Sequence, residues 1–238
     1  EQAAALGDLL HREATNPRIG EWLDTLESSS DELDEDQRIV VRWARRDYDN
    51  LVKIPSEFVQ RSTIAKSRSF HAWKEARAED DFPKFAPHLR TMIDLAKEHA
   101  AFLGRTEDPY DYWIDQFDPG MSQAIIEPVF SALRPELRTI VDRITGAAVQ
   151  QPPDLLKGFP EDRQEAFLKR VVGAFGFDFS RGRIDRAVHP FCGGHTCDTR
   201  MTTRYDPDNP LDSLTSSMHE CGHALYQQGL PDEHAGTA

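Results

Sequence analysis

Two histidines and a glutamate near the C-terminal end have the spacing of a metal site: His219-Glu220-Cys221-Gly222-His223. Positions four apart share one face of an α-helix, so both imidazoles converge on a single ion. Glu220 stands beside them, where a carboxylate acts as general base toward a water activated by the ion. His219 and His223 are therefore assigned as metal ligands and Glu220 as the catalytic base. A catalytic zinc takes three protein ligands plus water, and only two are obvious here. A longer pattern with Gly and then His at three-residue steps after the second histidine is excluded, because Tyr226 and Gly229 hold those positions. Glu233 and His234 follow Pro231-Asp232 and read as a solvated turn. Cys192, His195 and Cys197 have a spacing that fits no common structural zinc site, and read as free thiols and a histidine in a loop. Cys221 lies off the metal face of the helix and receives no catalytic role.

The elements that must position this motif are mostly helical. Leu33 to Ile54 carries Ile39, Val40, Trp43, Ala44 and Leu51 at helical spacing. Pro55-Ser56-Glu57 opens a second helix through Phe58, Ile64, Phe70 and Trp73. Pro87 to Leu103 is a third, with Gly104 where a C-terminal cap belongs. Tyr110–Phe117 is a short helix, and Ser122–Ile144 a longer one that Pro128 and Pro135 kink or split. Gln150-Gln151-Pro152-Pro153 is a connector, and Glu161–Phe175 a further helix closing near Gly176. The texture changes at Phe177. Arg183–Val188 and Thr199–Tyr205 predict a small hairpin or pair of strands, with Cys192–Cys197 as a loop between them. Asn209 is expected to cap the last helix, Pro210–Gln228, with Pro210 and Asp212 in its first turn. The fold class is mainly α: a multi-helix body with a small β hairpin or sheet beside the active-site helix. Residues 1–176 form an N-terminal helical region. Residues 177–238 begin a catalytic region that continues beyond the chain end.

Composition narrows the function classes. A net charge of −13 argues against nucleic acid and anionic membrane surfaces as partners, since both reward clustered Lys and Arg. No apolar run is long enough to span a bilayer, and the first residues lack the basic start and apolar core of a signal peptide. Three cysteines fit cytoplasmic free thiols better than a disulfide framework. The first residue is Glu1, not Met, so the chain reads as lacking its original start.

Two further segments add specificity. His189-Pro190-Phe191, then Asp198-Thr199-Arg200-Met201-Thr202, precede the H-E-x-x-H helix. In that order they resemble the three signatures of the thermostable carboxypeptidase Taq family, which are mostly helical zinc metallocarboxypeptidases. Tyr110-Asp111-Tyr112 through Asp118-Pro119-Gly120-Met121 is similar too, so the resemblance covers most of the chain. It implies hydrolysis of the C-terminal peptide bond of peptide substrates, Zn2+ or another divalent metal such as Co2+, and a homodimer at full length. It also implies a third ligand, a Glu in an H-E-S-x-Q segment, which does not occur between His223 and Ala238. The remaining signature residues become candidates for substrate binding or ligand support. The strand from Asp198 to Tyr205, with Thr202, lines the cleft and pairs with a peptide backbone. Arg200 and Arg204 hold carboxylates, of substrate or of neighbouring helices. Asp198 orients a histidine ligand, and His189 is a packed or capping histidine. Alternatives are a related zinc endopeptidase or dipeptidase, or a non-catalytic fragment that binds a partner's helices. The 238 residues alone are expected to be inactive, to hold metal loosely and to self-associate.

Overall fold

A computed structural model describes residues 2–147 and 156–232. It divides into two compact units, one ending at Ala147 and the other beginning at Ala148. The Gln150–Pro153 connector and the Glu233-His234 pair lie outside the described residues.

The first unit is all helix, and its sequence supplies most of its own punctuation. Its helices are α1 (Gln2–Ala14), α2 (Pro17–Ser28), α3 (Glu35–Leu51), α4 (Ser56–Glu79), α5 (Phe82–Phe102), α6 (Pro109–Phe117) and α7 (Gln123–Thr145), with a 3-10 turn at Ser30–Glu32. Asn16, Asp34, Asp81 and Asp108 each accept a backbone N–H from the first turn of α2, α3, α5 and α6. At α3 the cap is reciprocal: Gln37 accepts the Asp34 N–H in return. α1 and α2 precede the first periodic segment noted above. α5 begins five residues before Pro87, because Asp81 caps it and Pro83 tolerates its first turn; Pro87 costs the helix one backbone bond. α7 contains Pro128 and Pro135 yet is not split. Ile54, Phe58 and Leu95 form the buried centre, with Phe58, His99, Tyr112 and Trp113 in ring contact around it.

The second unit holds α8 (Glu161–Ala174), three strands and α9 (Pro210–Gly229). The strands are β1 (Gly182–Arg186), β2 (Phe191–His195) and β3 (Asp198–Thr203), in the order β1-β3-β2. β3 runs parallel to β1 and antiparallel to β2. The expected strand pair is therefore a three-stranded sheet, and the expected Cys192–Cys197 loop is β2 plus a two-residue turn. Gly193 and Gly194 disguised the strand, since both have poor strand propensity and are held in place by pairing with Arg200 and Thr199. The register places Ile184, Met201 and Cys192 side by side across the three strands. That row packs with Val172 of α8 and with Cys221, Ala224 and Leu225 of α9. Gly182 is required where β1 starts, because a Cβ there would strike the Thr199 carbonyl and the Phe177 ring.

Asn209 stands at the expected cap position of α9, but its side chain makes no capping bond. Its carbonyl instead accepts the Asp212 N–H at 3.2 Å. No described helix is long and apolar enough to cross a membrane.

Candidate metal centre

α9 separates its residues into two faces. Ser213, Ser217, Glu220, Cys221, Ala224 and Gln228 are buried, whereas His219 and His223 are exposed on the open side. Their Nε2 atoms lie 3.3 Å apart and their rings are nearly perpendicular, at 79°. Two nitrogens bound at about 2.05 Å to one tetrahedral ion stand ~3.3 Å apart, so the pair fits a single zinc-like cation. Among the described residues no group of three or more His, Cys, Asp and Glu gathers at one point.

Glu220 is buried beside them, 7% exposed. It opens, with His223, Tyr226 and Gln227, onto a cleft of about 390 Å³ whose opposite wall is Pro190, Phe191, Cys192 and Gly193. The Cys192 thiol is pushed above its ordinary range, first by burial and second by the nearby charge of Glu220. A side chain at Gly193 would meet no atom within 4 Å, so the cleft wall is open there. β2 is an edge strand next to the cleft. β3, expected to receive a peptide strand, is central and paired on both sides, so its backbone is not free to do so.

The other signature residues serve the frame of the cleft. Phe191 N–H donates to Thr202 Oγ1 at 3.0 Å, and the same hydroxyl lies 3.3 Å from His189 O. Thr202 thereby fixes the His189-Pro190-Phe191 wall; His189 itself is exposed. Asp198 and Arg200 pair with each other at 2.7 Å on the exposed face of β3, and the guanidinium holds the Asp198 carboxyl below its usual range. Arg204 grips Asp212, in the first turn of α9, through two bonds of 2.6 and 2.9 Å. Tyr205 lies under the Arg186 guanidinium, 4.9 Å from ring centre to Cζ. Burial, then the charge of Glu165, raises its hydroxyl to about 12. Asp198, Arg200, Arg204 and Tyr205 are not among the residues lining the cleft. Cys221 lies in the core with Sγ toward Val172 O, as its helical position predicts. His195 Nδ1 and Cys197 Sγ are 3.3 Å apart at the hairpin turn, while Cys192 packs toward α9.

Tyr226 and Gln227 were not singled out from sequence, although their spacing after His223 places them on the same side of α9. Cys192 and Gly193 could not be found so, because the strand that carries them, β2, reads as a loop in sequence.

A helix carrying two convergent imidazoles thus lies beside the edge strand of a small sheet. The sequence matches the carboxypeptidase Taq (M32) metallopeptidase family over residues 1–238, and the chain belongs to that family. It is 37% identical to thermostable carboxypeptidase 1 of Thermus thermophilus, over 99% of this chain and 49% of the relative. Carboxypeptidase 1 of Bacillus subtilis is 32% identical over the whole chain and 48% of the relative. The crystal structure of M32 carboxypeptidase from Deinococcus radiodurans matches with a TM-score of 0.85 and 38% identity, over 99% of this chain and 48% of that one. The chain spans about half the length of the curated relatives it matches. Family membership implies a divalent metal.

Proposed function

We propose that the full-length protein is a zinc-dependent carboxypeptidase that removes residues from the C-terminus of peptides. The observation that carries this reading is the 3.3 Å approach of His219 and His223 Nε2 beside the buried Glu220. His219 and His223 would hold the metal, Zn2+ or a substitute such as Co2+, and the family resemblance implies a glutamate as the third protein ligand. The bound cation supplies the positive charge that acidifies a water and polarises the scissile carbonyl. Glu220 accepts the proton of the attacking water and delivers it to the leaving amine. Its burial limits competing solvent, and it lines the cleft. The substrate backbone lies along the open edge of β2, opposite Glu220, by strand addition. Arg200 and Arg204 act within the frame, through Asp198 and Asp212.

Peptide specificity for a free C-terminus is supported by the names of the relatives. We place the protein in the cytoplasm, a reading supported by its three free cysteines, and as a homodimer at full length, by the family resemblance. The domain that begins in the second unit is completed by the remaining half of the polypeptide. The test is hydrolysis of one peptide in two forms, with a free and with an amidated C-terminus, before and after chelation. Stepwise release from the free form alone, abolished by chelator and restored by Zn2+, is expected. Internal cleavage of the blocked peptide would instead assign an endopeptidase, and turnover that survives exhaustive chelation overturns the reading.

A further inference from the structure

α9 is bracketed by two buried glutamines, neither of which belongs to a signature motif. Gln164 of α8 is 5% exposed and Gln228, in the last turn of α9, is 7% exposed. Gln164 Nε2 donates to Phe159 O and Asp206 O, each at 2.8 Å, and its Oε1 accepts from Ser213 Oγ at 2.8 Å. Gln228 Oε1 accepts the Asp178 N–H at 3.0 Å, while its Nε2 donates to Asp178 O at 3.0 Å and Arg181 O at 3.4 Å. Arg181 Nη1 returns a bond to Gln228 O at 3.3 Å. The Arg181 carbonyl also accepts the Thr199 N–H of β3 at 2.9 Å, so this turn is continuous with the central strand.

The chemistry of these contacts is directional. At Gln228 the amide oxygen faces a donor and the amide nitrogen faces carbonyls, and a flipped amide would set like against like. Toward its N-terminal end α9 also meets the end of β3 through Thr203–Ser216 at 3.1 Å and the Arg204–Asp212 ion pair, but around the metal motif its contact with the sheet is apolar, made by Cys221 and Ala224 against Met201, Ile184 and Cys192. Dispersion and burial are non-directional and resist sliding or rotation weakly. The glutamine bonds resist both, one at each end of the helix. His219 is six residues from the Ser213 anchor and His223 five from Gln228, or about 9 and 7.5 Å along the axis.

We propose that Gln164 and Gln228 are positioning residues of the metal centre: they fix the axial position and rotation of α9, and so hold Glu220 and His223 against the β2 edge. The inference rests on the reading of His219 and His223 as metal ligands, but its primary test does not need metal. In the full-length protein, Gln228→Met and Gln164→Met keep side-chain length and remove the amide. Leu23→Ala, in the first unit, serves as a destabilised control. Hydrogen exchange of the metal-free proteins is followed over residues 213–228, together with the visible spectrum of the Co2+ forms and the separate kcat and KM. In both glutamine variants, amides 219–224 are expected to exchange about tenfold faster than in the wild type, and the cobalt bands to shift. kcat falls about tenfold with KM unchanged. Leu23→Ala, at a matched interval below its Tm, should leave all three signals alone. Glutamine variants whose exchange, spectrum and kcat match the wild type, with only Tm lowered, overturn the proposal. If Gln228→Met does not fold, Gln228→Glu retains the acceptor for Asp178 N–H and loses only the donors. The same signals should then move in the same direction, and their constancy overturns the proposal equally. A wild type that binds no metal would fail the functional reading, and the exchange comparison would still decide the bracket.

Discussion

The backbone N–H of Phe191 donates to the Thr202 hydroxyl at 3.0 Å, joining two sequence signatures across one rung of the β2–β3 ladder. The bond holds the edge strand opposite Glu220. Thr202→Val keeps the β-branched shape and removes the acceptor, which leaves a part-buried N–H poorly satisfied. The expected loss is about 1–2 kcal/mol in chemical denaturation, and Thr202→Ser should recover most of it. A valine variant as stable as the wild type would show that Phe191 N–H finds another partner.

At the metal face, Glu220→Gln and His223→Ala should separate chemistry from binding. Glu220→Gln keeps both imidazoles, so metal per chain in the full-length protein stays at the wild-type value while kcat drops at least about a hundredfold. His223→Ala removes a donor, and chelator competition should show affinity falling by more than the ~10–100-fold typical of losing an outer partner of a ligand. Equal metal loss in both variants would argue that Glu220 is itself a ligand.

Arg204 and Asp212 form a two-bond ion pair with side chains 33% and 29% exposed, linking the end of β3 to the first turn of α9. A double-mutant cycle with Arg204→Ala and Asp212→Ala should give a coupling near 1 kcal/mol, reduced by salt. Arg204→Lys retains charge but not the fork, and should recover only part of it. A coupling of zero would remove this pair from the set of contacts that fix α9.

The Tyr205 hydroxyl, raised to about 12 by burial, predicts an alkaline loss of stability. The unfolded phenol ionises near pH 10, earlier than the folded one. Between about pH 10 and 12 the unfolded state therefore binds fewer protons, and stability falls as pH rises. Thermal unfolding scans should show this slope in the wild type and a shallower one in Tyr205→Phe. Identical slopes would place the alkaline transition elsewhere.

The sequence by itself determined the helical body, the face of the last helix that carries His219 and His223, and the kinship of three short motifs. These features are local: a helical period, an acidic cap at Asp34 or Asp108, and an i, i+4 histidine pair are each set within a few residues. Tertiary structure alone decided what faces Glu220. Gly193 and Gly194 resemble a loop in sequence, and become an edge strand only because β3 supplies the pairing. Tertiary structure also turned Arg204 and Tyr205 toward Asp212 and Arg186, partners whose geometry no spacing fixes, whereas Asp198 and Arg200 share one strand face by the two-residue period alone. The two glutamines around α9 carried no signal, because an amide acquires its role only from the carbonyls and N–H groups that folding places around it, 42 residues away for Gln164 and Asp206 and 50 for Gln228 and Asp178.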